Sequence, residues 1–321
     1  MDSELRVYVN GKIVPASEAS VSVFDASFQS GDAVWEGMRV YHGTVFRLEQ
    51  HLERLEASAV TTRIVSPLAR SQLGDAIYSV LKANGFEHDV HIRMMLSRGT
   101  RTTSGMDPAN APPVGTLVII PETKPVPPVP QPVVLATVPI RRPRPDVLDP
   151  NVHHSNQLNT ILARLFARDA GAEAALMLDA DGYAVETDTA NLFCVSDDKL
   201  LTPPPDACTR GVTRGIVLEL ARRRGIGVVE ANLHLFQLYS ASEAFVVGTL
   251  GELVPVASVD ARPIGAGSGG PVWKALLSDY RRLVDHECAG LPAEAGPNSD
   301  TVRPQDAGMG AEYAETHVTS R

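Results

Sequence analysis

The sequence predicts an α/β protein built as two domains, and three observations carry that expectation. Strand-type and helix-type hydrophobic patterns alternate along the chain, as an α/β architecture requires. The stretch 121–132 is rich in proline and reads as a semi-rigid connector. The length of 321 residues suffices for two domains or one large one. The expected organisation is a small N-terminal domain over 1–121, a connector over 122–132, a larger domain over 133–287 and a disordered tail over 288–321. That tail is polar, rich in Pro and Gly, and poor in large apolar groups.

Residues 7–14 read as a hairpin, because Asn10-Gly11 suits a tight type I′ turn. Residues 21–39 give two strands around a Gly31-Asp32 turn. A helix starts at Phe46 and turns Leu48, Leu52, Leu55 and Ala59 inward. A second helix covers 71–84 and is closed by Gly85, and strands follow at 90–96 and 117–121. Beyond the connector, strands are expected at 133–139, 174–178, 183–186, 191–195 and 244–247. Ser155 is a fair N-cap for a helix that ends at Gly171. Leu158, Ile161, Leu162, Leu165 and Phe166 recur along it at helical spacing, which predicts a buried stripe. Helices follow at 212–224 and 271–284. The basic, proline-rich loop 141–145 is expected to be a solvated surface turn. The glycine-rich turn 265–270 lacks the ending and the preceding strand of a phosphate loop.

The formal charge of −9 argues against nucleic acid or an anionic membrane as partner. No apolar run is long enough to span a bilayer, and Met1-Asp2-Ser3-Glu4 does not open a signal peptide, so the expected location is the cytoplasm. Cys194, Cys208 and Cys288 are odd in number and carry no metal spacing, which predicts buried, reduced thiols. His153 and His154 are adjacent on a loop without carboxylate or cysteine spacing, which is poor support for a metal site.

Five segments, in order, carry a resemblance. They are Trp35-Glu36-Gly37-Met38-Arg39, His51-x-x-Arg54-Leu55, Glu186-Thr-x-Thr-x-Asn191-x-Phe193, Gly211-Val212-Thr213-Arg214 and Gly248-Thr249. Together they resemble the class IV aminotransferases: the branched-chain and D-amino acid aminotransferases and aminodeoxychorismate lyase. The likeness spans roughly 8–284. It implies the fold-type-IV fold, two α/β domains with the site between them, a homodimer, and pyridoxal phosphate (PLP) as cofactor. It also implies roles. Arg54 clamps the phosphate, for which a planar, always-charged fork is suited. Val212 and Thr213 offer the N–H groups and dipole of a helix start, and Thr249 adds a hydroxyl. Glu186 holds the pyridine nitrogen, with Asn191 and Gln157 nearby. Trp35, Arg39, His91, Arg93 and Arg101 are candidates for the substrate, the arginines for its carboxylate.

The sequence departs from this pattern where the family lysine, which holds PLP as a Schiff base, would fall at Val152 or His153. The chain's lysines are Lys12, Lys82, Lys124, Lys199 and Lys274. Gln157, Ser30 and His91 also stand where branched-chain enzymes place tyrosines, and Asp188 where Ser or Thr is usual. PLP is therefore expected to bind non-covalently if it is used. His153 and His154 either carry protons, as an imidazole does near neutral pH, or merely cap the helix loop. Three functions stay open: an aminotransferase-like enzyme acting on a small amino acid, keto acid or related carboxylate with altered use of PLP; a cofactor-independent acid–base enzyme on the same fold; or a silent homologue that binds a phosphorylated ligand.

Overall fold

The computed structural model describes residues 4–289. The Asn10-Gly11 turn has positive φ at both residues, 45° and 86°. It sets β1 (Arg6–Val9) against β2 (Lys12–Pro15) in antiparallel register. The Asp25 side chain caps α1 (Ala26–Ser30), and Gly31, at φ 67°, ends it. β3 (Ala33–Tyr41), β4 (Thr44–Val45), α2 (Leu48–Thr62), α3 (Arg70–Asn84), β5 (Val90–Ser97) and β6 (Thr116–Thr123) complete a six-stranded sheet in the order β2-β1-β6-β5-β3-β4. α2 and α3 turn Leu52, Leu55, Leu73 and Ile77 onto Val34, Met38, Ile92 and Ile119, forming the first core. β6 runs through Pro121, which pairs with Ile92.

The second sheet has nine strands. Its elements are β7 (Val133–Arg141), α4 (Pro145–Leu148), α5 (Leu158–Asp169), β8 (Ala174–Leu178), β9 (Ala184–Thr187), β10 (Asn191–Ser196), β11 (Lys199–Thr202), α6 (Val212–Arg223), β12 (Gly227–Glu230), α7 (Leu235–Tyr239), β13 (Glu243–Gly248), β14 (Glu252–Val259), β15 (Arg262–Pro263) and α8 (Pro271–Cys288). β7 and β8 are parallel, so they need a crossover, and α5 supplies it; α6 does the same for β11 and β12. α6 and α8 share a core with Phe193, Phe245, Trp273 and Tyr280. No described helix is long and apolar enough to cross a membrane. The three cysteines are free and buried.

The structure corrects the reading of α5. Its N-cap is Gln157, not Ser155, and its buried residues are Thr160, Ala163 and Ala167. The expected stripe faces outward: Leu158 is 68 % exposed, and Ile161, Leu162, Leu165 and Phe166 are exposed as well. Small side chains let the helix lie close to the sheet, where Ala163 and Ala167 meet Ala136, Ala175 and Met177. A periodic pattern reports an apolar face but not what covers it. The expected tail begins inside α8, whose last residue, Cys288, is buried. Residues 290–321 lie outside the described residues.

Candidate active site

The loop between α4 and α5 pairs with the edge of β3, across the two sheets. Trp35 N donates to His153 O (2.9 Å) and Ser155 N to Ala33 O (2.8 Å). Val152 is buried in the first core. Asn156 Nδ2 reaches Gly31 O (3.0 Å), and Gln157 Nε2 donates to the His154 carbonyl (2.6 Å). Gln157 thus holds the loop backbone.

This docking sets His153 beside Glu36, a fully buried residue of β3. The Glu36 carboxylate accepts from His51 Nδ1 (2.7 Å), Arg54 Nε (2.7 Å), Arg54 Nη2 (2.8 Å) and His153 Nδ1 (3.1 Å). Burial alone would raise its pKa, but the charges of Arg54 and His153 outweigh burial and hold it well below the usual carboxylate range. His153 titrates below an ordinary histidine, first because it is buried and next because Arg54 is close, with Glu36 opposing. The His153 ring lies 4.0 Å from the ring of Trp35, and the Arg93 guanidinium sits 3.9 Å from the Trp35 ring centre. Arg54 departs from expectation: its fork grips Glu36, and Nη1 donates to Arg210 O (3.1 Å).

A second carboxylate, Glu186 on β9, faces the same region from the other sheet. It meets Arg142 Nε (2.6 Å), Asn191 Nδ2 (3.0 Å), and Thr209 through N (3.2 Å) and Oγ1 (3.2 Å). Arg142 belongs to the loop expected to be a solvated turn. It is instead largely buried against Glu186, because β7 extends to Arg141 and carries the next residue inward. Asp188 adds no unpaired charge here, since Arg164 pairs with it and Ala175 N donates to it (2.9 Å).

Between the two carboxylates stands the start of α6. Its N-cap, Gly211, leaves room for Asn191: a Cβ there would lie 2.1 Å from Asn191 Oδ1 and push that amide off its bonds to Glu186 and Thr209. The first N–H groups of a helix have no intrahelical partner, and those of Val212 and Thr213 open beside a small cavity. Thr249, His51, Arg39 and Tyr280 also line it. Arg39 is not available to grip a substrate carboxylate. Its three nitrogens donate to the carbonyls of Thr249 (3.2 Å), Lys124 (2.6 Å) and Leu250 (2.9 Å). Arg101 is likewise committed, to Gly105 O (2.5 Å), Ser30 Oγ (3.1 Å) and Asp32 (3.2 Å). The Arg93 side chain makes no hydrogen bond among the described residues and stacks on the Trp35 ring, which leaves its N–H groups for a carboxylate.

Two imidazoles are neutral near pH 7. His91 is pushed down to about 4, by burial and then by Lys124, and its Nδ1 lacks a hydrogen bond. His154 is also pushed down to about 4, by burial and then by Arg142 and His153, and its buried Nδ1 has no partner. Sequence reasoning missed Glu36, His51 and Arg142 as site residues. The first two sit inside the motifs quoted above, and that position is their signal; Arg142 carries none beyond its basic neighbours.

Residues 33–259 match the family described as Amino-transferase class IV. The chain belongs to the class IV aminotransferases. It is 41 % identical over 294 residues to branched-chain-amino-acid aminotransferase-like protein 2 of Arabidopsis thaliana, covering 91 % of this chain and 52 % of that protein. The chain therefore spans about half the length of that plant relative. It is 31 % identical over 293 residues to the branched-chain-amino-acid aminotransferase of Pseudomonas aeruginosa, covering 87 % and 92 %. Among solved structures, the branched-chain aminotransferase of Thermoproteus uzoniensis with norvaline superposes with a TM-score of 0.82 at 31 % identity, over 88 % of this chain and 95 % of that one. A second branched-chain amino acid aminotransferase, from T.th. and solved with pyridoxamine 5'-phosphate, gives 0.83 at 31 % identity, with the same coverage.

A class IV aminotransferase must offer PLP a phosphate cup, a partner for the ring nitrogen and an amine. In this chain the α6 start with Thr213 and Thr249 fits the first, and the Glu186 carboxylate fits the second. The loop 151–157 contains no lysine, and a buried imidazole there cannot replace a primary amine.

Proposed function

We propose that this class IV aminotransferase holds PLP by contacts alone and acts on a small amino acid, keto acid or related carboxylate. The observation that carries the reading is the setting of His153. Its Nδ1 lies 3.1 Å from Glu36 Oε1, closer than the 3.3 Å to Arg54 Nη2, so Nδ1 carries the hydrogen; Trp35 fixes the ring plane, and Nε2 is left with the lone pair of a general base. Bound PLP would supply an electron sink next to the carbon that carries the amine. Val212, Thr213 and Thr249 hold the phosphate, with Arg54 acting through its charge. Glu186 and Asn191 face the ring nitrogen, and Arg93 grips the substrate carboxylate from the Trp35 face. The norvaline in the Thermoproteus uzoniensis structure supports a short aliphatic substrate. The test is His153→Gln. Turnover should fall about 10²–10⁴-fold, the usual weight of general acid–base catalysis, while PLP binding followed by absorbance persists. Unchanged turnover removes His153 as proton carrier, and PLP fixed to any lysine after borohydride reduction removes the non-covalent reading.

The outward stripe of α5 supports a second copy of the chain as its cover. Leu158, Ile161, Leu162, Leu165 and Phe166 are exposed, as are Phe24 and Phe28. The Asn156–Gly31 hydrogen bond ties the two segments together. Apolar faces of this extent mark interfaces, and two-fold dimers are the commonest assembly. Leu162→Glu with Phe166→Glu should shift the mass by light scattering from dimer to monomer; a wild-type monomer at micromolar concentration refutes the assembly.

A further inference from the structure

We infer that His51 is a further ligand of the phosphate cup, and that it takes up a proton when a phosphate monoester dianion binds. The inference rests on the cup proposed above and extends it to a residue given no role so far. His51 is buried, and its Nδ1 lies 2.7 Å from Glu36 Oε2. A carboxylate only accepts, so Nδ1 carries the hydrogen and Nε2 is the nitrogen that can change state. The same ring lines the small cavity with Val212, Thr213 and Thr249.

Charge accounting favours the protonation. A phosphate monoester brings close to two negative charges. Arg54 does not match them alone, because Glu36 offsets its charge and takes its fork. Arg39 contributes one charge, but its nitrogens already point at three carbonyls. The start of α6 adds about half a charge. A neutral His51 would aim a lone pair at a phosphate oxygen, whereas a protonated one donates to it. Glu36 stands behind that imidazolium as the carboxylate stands behind histidine in hydrolytic triads.

The neighbours of His51 set the direction of the change. Glu36 of β3 favours the extra proton; Arg54 of its own helix, Arg39 of β3 and His153 of the docked loop oppose it. Thr213 of α6, Thr249 and Tyr280 of α8 present neutral hydroxyls. The dianion overcomes the opposition. The balance is simple: one proton leaves solvent, settles on Nε2 and is shared with the phosphate oxygen.

The test is titration calorimetry of the full chain with inorganic phosphate at pH 8, where the probe is itself the dianion, in buffers of different ionisation heat. The wild type should take up about one proton per phosphate bound, since one site changes state. His51→Asn, whose amide keeps the donation to Glu36, should take up none and bind about tenfold more weakly, the size of one charge-assisted hydrogen bond. Phosphate binding to the wild type without proton uptake overturns the inference and leaves the cup standing; this arm does not depend on the variant's folding. Equal uptake by His51→Asn also overturns it. Failure of both phosphate and PLP to bind the wild type at millimolar concentration overturns the cup itself, and the inference with it.

Discussion

Glu36 and Glu186 make a matched pair, one on each sheet, each buried and each backed by an arginine. Their remaining partners differ in kind. Around Glu36 stand two imidazoles, His51 and His153. Around Glu186 stand the amide of Asn191 and the backbone and hydroxyl of Thr209. The first set holds imidazoles, which can take part in proton transfer through a ring nitrogen, and the second holds no such group. Under the proposals above, the β3 side answers a ligand by changing its charge and carries the proton movement, while the β9 side offers a fixed field and orients the ring.

The largest expected effect that can break this contrast is on stability. Glu36→Gln leaves Arg54 buried without its counter-charge and should cost about 3–5 kcal/mol in urea unfolding, the usual result of removing one partner of a buried pair. Glu186→Gln should cost less, about 1–3 kcal/mol, because Arg142 meets Glu186 through Nε alone and keeps its bond to Thr209 Oγ1, whereas Arg54 loses both arms of its fork. Equal costs would mean that the two clusters are equivalent.

A smaller effect concerns pH. His91 and His154 are held at about 4 in the folded chain, and His153 is lowered as well. A histidine lowered on folding binds its proton more readily when unfolded, so stability is full above about 6.5 and is lost as pH falls toward 4. Between pH 6.5 and 5.5 each of His91 and His154 should give up about 1 kcal/mol. The acid slope of Tm should flatten in His154→Gln and persist in Glu186→Gln. A slope carried by Glu186 would place titration on the wrong side of the site.

Much of this was legible in the sequence where local chemistry decides. Asn10-Gly11 gave its turn, Gly85 its helix end, and the Glu186-to-Phe193 motif its strand, whereas the strand expected before Gly31 is instead the short helix α1, capped by the Asp25 side chain. What was not legible depended on distant partners. Arg142 looked like part of a solvated loop because its partner lies in a different strand of the sheet. Glu36 reads as an ordinary strand residue until α2 and the 151–157 loop close over it. The α5 stripe shows the sharpest limit: Ala163 and Ala167 pack inside while Leu158 and Leu165 face out, and hydrophobicity alone ranks them the other way. Resemblance singled out Arg54 but not the carboxylate that holds its fork.

Arg39 ties together three stretches that are far apart in sequence: its own strand, the backbone at Lys124 and the turn at Thr249 and Leu250. Moving any one away would leave a cation in the interior facing too few acceptors, at a cost that rises steeply with poor solvation. The segment after β6 and the turn after β13 are thereby forbidden to breathe separately. Slow amide exchange should report them as one cooperative opening unit, with the rhythm of the cleft set by a single side chain.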